Sequence, residues 1–455
     1  MASSVKNMTQ GRPVTLLITF ALPLMLGNVF QQLYTVVDTA VVGQGLGVQA
    51  LAALGACDWL NWMVLGGIQG LTQGFAVLMA QEFGADRIDR LRTALGNAIT
   101  LSAISAAVLT VGCQLLAKPA LLLLQTPAEI LPGALEYLRV MFGAIPVIIA
   151  YNLLASALRS LGDSRTPLVA MIIASFVNIV LDLVFVLVFR WGIAGAAIAT
   201  VLAQLVASGF CLAQMLRVPQ LQLEKRHFRL EGAVAKRLLV LGSPMGLQNA
   251  IIAIGGMIVQ AVVNGFGVLF IAGYTATNKM FGMLEIAATS YGYSMTTYVG
   301  QNLGGRRLDR IRSGMKAALG LAIVTSVVIA VLILAFGRGI LSLFISGTPE
   351  EVVRTMEIAY YYLAVMAVCL PLLYILHVMR SSLQGMGNAV MPMVSGIAEF
   401  VVRVTCAPLL PLLLGDVGIF YSEVLAWVGA DLILVPSWIF TLRRAQRERT
   451  EKETE

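Results

Sequence analysis

Charge is scarce in this sequence. Only 12% of its 455 residues are Asp, Glu, Lys or Arg, whereas 58% are hydrophobic and the mean hydropathy is +0.85. Soluble domains carry about twice that charge, so a soluble globular class is excluded. Histidine is nearly absent: His227 stands in a charged loop and His377 in an apolar run, which leaves no histidine-rich metal cluster. The five cysteines (Cys57, Cys113, Cys211, Cys369 and Cys406) are scattered through apolar segments without CxxC spacing, so they read as free thiols. No serine or cysteine constellation offers a nucleophile, which argues against an enzyme and for a protein without a cofactor. There is no glycine-rich filter loop of the kind a channel needs. The net charge of +7 lies mostly in loop arginines, and it reports topology rather than a nucleic-acid partner.

What the chain does have is long apolar runs. About 20 residues cross a bilayer, and twelve such spans are legible between residues 14 and 442, among them 14–42, 133–158, 166–190, 192–216, 355–380 and 418–442. The expected fold is an all-α polytopic membrane protein. The first run, preceded by Lys6 and Arg12, is longer than a signal-peptide core and reads as an uncleaved span. Placing the N-terminus inside gathers nearly all loop arginines in the cytoplasm, from Arg87, Arg90 and Arg92 to Arg306, Arg307 and Arg380. Both termini are then cytoplasmic.

The spans repeat. Gln81-Glu82-Phe83-Gly84-Ala85-Asp86-Arg87 returns as Gln301-Asn302-Leu303-Gly304-Gly305-Arg306-Arg307, and Pro23 and Asn28 recur as Pro244 and Asn249. Leu158–Pro167 matches Leu383–Pro392, and Thr126-Pro127 and Thr348-Pro349 open the fourth and tenth spans alike. Each half holds six spans, an even number, so the repeat is parallel about an axis along the membrane normal. The expected domains are an N-terminal lobe over 1–216, a cytoplasmic linker over 217–237, a C-terminal lobe over 238–442 and a charged tail over 443–455. Two pseudo-symmetric six-helix bundles suit alternating-access transport.

Ionisable residues inside spans are costly, by about 3 kcal/mol at a helix centre on insertion scales. Gln31, Tyr34 and Asp38 share one face of the first span, and Asn178 and Asp182 are four apart in the fifth. Measured along the helices, Asp38, Asp182 and Thr200 of the sixth span fall at comparable depth in the outer half of the lobe, with Asn152 deeper. The set is either an oxygen-rich cage or a series of private hydrogen bonds. Two carboxylates close together in low dielectric are not both ionised cheaply, so a cage would take a proton or a monovalent cation.

The two six-span halves, Pro23…Tyr34…Val36-Val37-Asp38-Thr39, the repeated Gln-x-x-Gly-x-x-Arg segments and Asn178-x-x-x-Asp182 followed by Thr200 resemble the multidrug and toxic compound extrusion (MATE) family. The resemblance covers essentially the whole chain. It implies a cation-driven exporter of small amphipathic or cationic compounds, a multi-pass monomer in the plasma membrane of a prokaryote, coupled to H+ or Na+. It further implies cation binding, Na+ included, at Asp38, Asn178, Asp182 and Thr200, and a bend at Pro23. A lipid-linked precursor flippase of related architecture is the alternative, and it would want a strongly cationic interior.

The C-terminal half departs from a second branch of the family, which places acids in the seventh and tenth spans. Here those spans offer Gln248, Asn249 and Gln260, and His377. The charges read inside spans of this half are Lys279, Glu285, Glu399 and Arg403. Glu399 and Arg403 are spaced for an intrahelical ion pair, while Glu285 either lines a cavity or pairs elsewhere; Gln31, Tyr34, Asn152 and His377 are the other candidates for lining a cavity. The Tyr360–Tyr362 run reads as an interfacial belt. A cysteine introduced at Thr126 is expected to react with a membrane-impermeant maleimide in intact cells. Labelling only after permeabilisation would overturn this topology.

Overall fold

A computed structural model describes residues 5–345 and 347–454. Hydrocarbon offers no water to answer backbone N–H and C=O groups, so long apolar runs close their hydrogen bonds internally and become helices. Thirteen α-helices form among the described residues. They are α1 (Pro13–Leu46), α2 (Val48–Gly84), α3 (Ile88–Leu123), α4 (Leu131–Gly143), α5 (Ile145–Ser160), α6 (Arg165–Asp182) and α7 (Gly192–Met215). The second half adds α8 (Gly232–Val263), α9 (Val268–Gly304), α10 (Leu308–Leu341), α11 (Pro349–Gly385), α12 (Val390–Leu414) and α13 (Phe420–Thr454).

The fourth expected span is broken. The chain bends by 48° between α4 and α5, where Pro146 in the first turn of α5 has no N–H to give and follows Gly143 and Ala144. In the second half α11 runs through Pro371 without a break. Its start is a capping box: the Thr348 backbone N–H donates to Glu351 Oε2 at 2.9 Å and the Glu351 N–H to the Thr348 hydroxyl. Counting α4 and α5 as one, eleven spans among the described residues are long and apolar enough to cross a membrane. Long α9 falls short because Asn278, Lys279, Glu285 and a run of hydroxyl residues interrupt its apolar surface.

The repeat is visible in the turns. Left-handed backbone recurs at matched positions, Gly47 and Gly267 between helix pairs, Asp86 and Arg306 after α2 and α9, and Gly162 and Gly387. At Gly162 the constraint is double, since its φ of +82° is left-handed and a Cβ there would land on the Lys6 carbonyl oxygen.

The chain divides into two compact units, and two of the three cuts fall within helices. The first unit holds the chain up to Met8 together with Leu22–Gly246, and the second holds Thr9–Ala21 with Leu247–Glu455. The cut in α1 lies just before Pro23 and the cut in α8 just after Pro244. Residues 217–237, expected as the boundary, lie wholly within the first unit and are strapped to α3. The Asn97 amide donates to the carbonyls of His227 and Arg229, and its oxygen accepts from the Glu231 N–H at 2.9 Å. Arg226 and His227 both reach Asp89, and Arg92 donates to the Pro219 carbonyl at 2.8 Å.

Within the first unit, small residues seat the start of α8 on α2. A Cβ on Gly70 would strike the Met245 carbonyl, one on Gly74 the Cα of Gly242, and one on Gly246 would come within 2.9 Å of the Gly67 carbonyl. Backbones this close gain dispersion that larger side chains would forbid. Gly74→Ala is expected to cost about 1–3 kcal/mol by overpacking, seen as a lower melting temperature of the solubilised protein. Gly112→Ala on α3, with no atom within 4 Å of the new Cβ, should leave the melt unchanged or raise it.

Candidate ion site and a buried charge network

In the first unit Asp38 of α1, Asn178 and Asp182 of α6 and Thr200 of α7 come together. Asp182 is the last residue of α6, and the chain continues from it as a π-helical turn over Leu183–Val188. Such turns are rare and often occur at functional sites. Val41 and Val42 of α1 pack on Val186 of that turn and Ala196 of α7, which holds the three elements in register. The Asn178 side-chain amide donates to the Thr200 hydroxyl at 3.3 Å.

The acceptors are less well served. Asp182 is 0% exposed, Asn178 1% and Asp38 8%. Both oxygens of Asp182, one of Asp38 and the amide oxygen of Asn178 are buried with no hydrogen-bond donor among the described residues. Asp38 and Asp182 interact electrostatically, and Asp38 also feels Asp58 of α2. Asp182 therefore makes no private hydrogen bond among the described residues. Tyr34 hydrogen-bonds Gln31 on the same face of α1 and lies within electrostatic reach of both carboxylates. Asn152 instead spends its amide on the Ile148 carbonyl of its own helix, at 2.8 Å. Oxygen donors alone make up the set, which suits a proton or a hard monovalent cation.

The second unit has a different polar core. His377 of α11 and Glu285 of α9 pair at 3.2 Å, so the two candidate cavity residues meet each other. Glu399 and Arg403 of α12 form the expected intrahelical pair at 3.0 Å, but the pair is not isolated. Arg380 of α11 donates to the other Glu399 oxygen at 2.8 Å, and Arg403 also reaches Glu423 of α13 at 2.7 Å. Arg380 is therefore not a loop arginine as expected: it lies within α11 and is 8% exposed inside the unit, held by an acid of the neighbouring helix. Glu423 and Asp431 of α13, overlooked in the sequence, join the same region. The signal was there, because both interrupt an otherwise apolar run. The tyrosines split: Tyr361 is exposed, but Tyr362 is buried and stacks on Tyr274 and Phe420 at 5.1 and 4.5 Å. Tyr291 and Tyr298 are likewise buried packing residues, bonded to Thr325 and to the Arg310 carbonyl.

A sequence model of the MatE family matches residues 23–184 and again 244–409. The chain belongs to the MatE family. The two matches begin at Pro23 and Pro244, the prolines beside the cuts in α1 and α8. Among MatE relatives, the chain is 32% identical to the probable multidrug resistance protein YpnP of Bacillus subtilis, over 78% of this chain and 80% of that one. It is 29% identical to the probable multidrug resistance protein YoeA of the same organism, over 76% and 75%. In fold it is similar to an outward-facing multidrug resistance MATE family transporter, with a TM-score of 0.90 and 22% identity over 98% of this chain and 99% of that one. The all-helical MatE fold is thereby shown, and the chain is a multi-pass membrane protein.

An unanswered buried carboxylate costs stability. Replacing Asp182 by leucine, similar in size and without polar atoms, is expected to recover about 1–3 kcal/mol. Its measure is a higher melting temperature in detergent, together with loss of any ion effect on the melt. A lower melting temperature would mean that Asp182 has a structural partner.

Proposed function

We propose that this MatE protein is a secondary antiporter, exporting small amphipathic or cationic compounds in exchange for H+ or Na+ by alternating access. The observation that carries the reading is Asp182, fully buried, with both oxygens unpartnered and Asp38 within electrostatic reach. A positive charge arriving there, as a proton or as Na+ held by Asp38, Asp182, the Asn178 oxygen and the Thr200 hydroxyl, relieves the repulsion between two acids. That gives the ion differential affinity for one conformation, which is what coupling requires. Multidrug resistance proteins among its relatives support the substrate class. Pro23 and Pro244 lack the N–H that would stiffen α1 and α8 where each passes between units. They are the natural flexing points of the cycle. The protein acts as a monomer in a bacterial plasma membrane, with both termini cytoplasmic. A flippase for lipid-linked precursors has less support, because Arg380 and Arg403 are neutralised by Glu399 and Glu423 rather than presenting bare positive charge.

Dye efflux from everted vesicles with ΔpH and ΔNa+ imposed separately tests this. Asp38→Asn and Asp182→Asn are each expected to abolish ion-driven efflux while the protein still folds. The double variant should be no worse than either single one, since residues acting as a unit are not additive. Asn178→Ala and Thr200→Ala should weaken ion affinity without abolishing efflux. Pro23→Ala should slow turnover more than it weakens ion binding. Wild-type rates in both aspartate variants would place coupling outside the first unit.

A further inference from the structure

The geometry points to a second proton-binding site, in the second unit, at Asp431 of α13. Arg380, Glu399, Arg403 and Glu423 form an alternating chain, linked at 2.8, 3.0 and 2.7 Å. Its two positive and two negative charges sum to zero, and its first three members are 8%, 4% and 6% exposed. A closed, neutral chain of this kind is the form in which buried charge is tolerable. Asp431 is the member that does not fit.

Asp431 follows Glu423 by eight positions on α13 and so lies on the same helical face. Its electrostatic neighbours are Arg380 and Glu399. Both of its carboxylate oxygens are buried, and neither meets a donor among the described residues. On the facing side the Nε of Arg380 and the Nε of Arg403 are also buried and unmatched. α13 packs on α11 and α12, and Phe270 and Phe281 of α9 stack on its Phe420 and Trp427. α11 brings Arg380 and His377 and α12 brings Glu399 and Arg403; of the α9 charges, Glu285 is held by His377 at 3.2 Å and Lys279 is exposed. No buried cation is left over in this set. An ionised Asp431 therefore adds a negative charge that the chain does not compensate, and a proton on Asp431 removes it. When the proton leaves, Arg380 is the group that can answer, through its free Nε, at the expense of its hold on Glu399. Proton release thus redistributes the contacts that tie α11 to α12 and α13. This site shares no residue with the Asp38–Asp182 pair and does not depend on the antiport reading.

Proton binding can be observed without transport. The full chain in lipid nanodiscs is examined by pH-difference infrared spectroscopy, following the C=O stretch of protonated carboxyl groups. The background is Asp38→Asn/Asp182→Asn, which silences the first unit. A protonated-carboxyl band that is lost as the pH is raised is expected to remain in that background and to vanish when Asp431→Asn is added. Asp431→Glu should restore a band at a shifted frequency, and it serves in place of the asparagine variant if that one does not fold. Absence of any titrating band in the background overturns the site. So does a band that survives Asp431→Asn and disappears with Glu399→Gln or Glu423→Gln. Loss of the band on adding Na+ at constant pH would make the occupant sodium and overturn the assignment to a proton.

Discussion

Inside a bilayer a polar group must find its partner within the protein, and the whole structure follows from that demand. The backbone meets it by coiling into helices, thirteen among the described residues. The side chains meet it unequally. In the second unit Arg380, Glu399, Arg403 and Glu423 answer one another across three helices. In the first, Asp182 and Asn178 keep oxygens that nothing among the described residues answers. Folding alone gives no reason to keep an unanswered carboxylate at zero exposure. Its persistence is what the proposed ion site would require.

The two halves are alike in their turns and unlike in their charges. Left-handed residues recur at Gly47 and Gly267, Asp86 and Arg306, and Gly162 and Gly387, because a helix–turn–helix path of fixed geometry dictates backbone conformation wherever it is repeated. Nothing in that path dictates which side chains face inward. One half thus gathers two acids and an amide, and the other a network of ion pairs. The architecture is symmetric and the electrostatics are not.

Much of this was legible in the sequence, for reasons that can be named. The helical class followed from apolar runs too long for any other use, and the repeat from matched motifs. Asp38, Asn178, Asp182 and Thr200 could be brought together because rise per residue converts sequence position into depth. Arg380 escaped because counting positive charges near span ends cannot distinguish an arginine in a loop from one a few residues deeper with an acid waiting on α12. Asp431 escaped because a lone acid becomes conspicuous only once its neighbours are known to be already paired. The break between α4 and α5 was hidden for a similar reason: Pro146 bends its span and Pro371 does not, so proline alone does not decide.

The division of α1 and α8 bears on how such a chain arose. The first unit is completed by the opening turns of the eighth helix, and the second by the opening turns of the first. Had a six-helix ancestor been duplicated, each copy would have lent its leading segment to the other, as in a domain-swapped dimer whose subunits were later fused. Fusion of that kind makes the exchange irreversible. Neither half then has a complete fold to return to, and selection can let the two copies drift apart in their interior chemistry while holding them together in their frame.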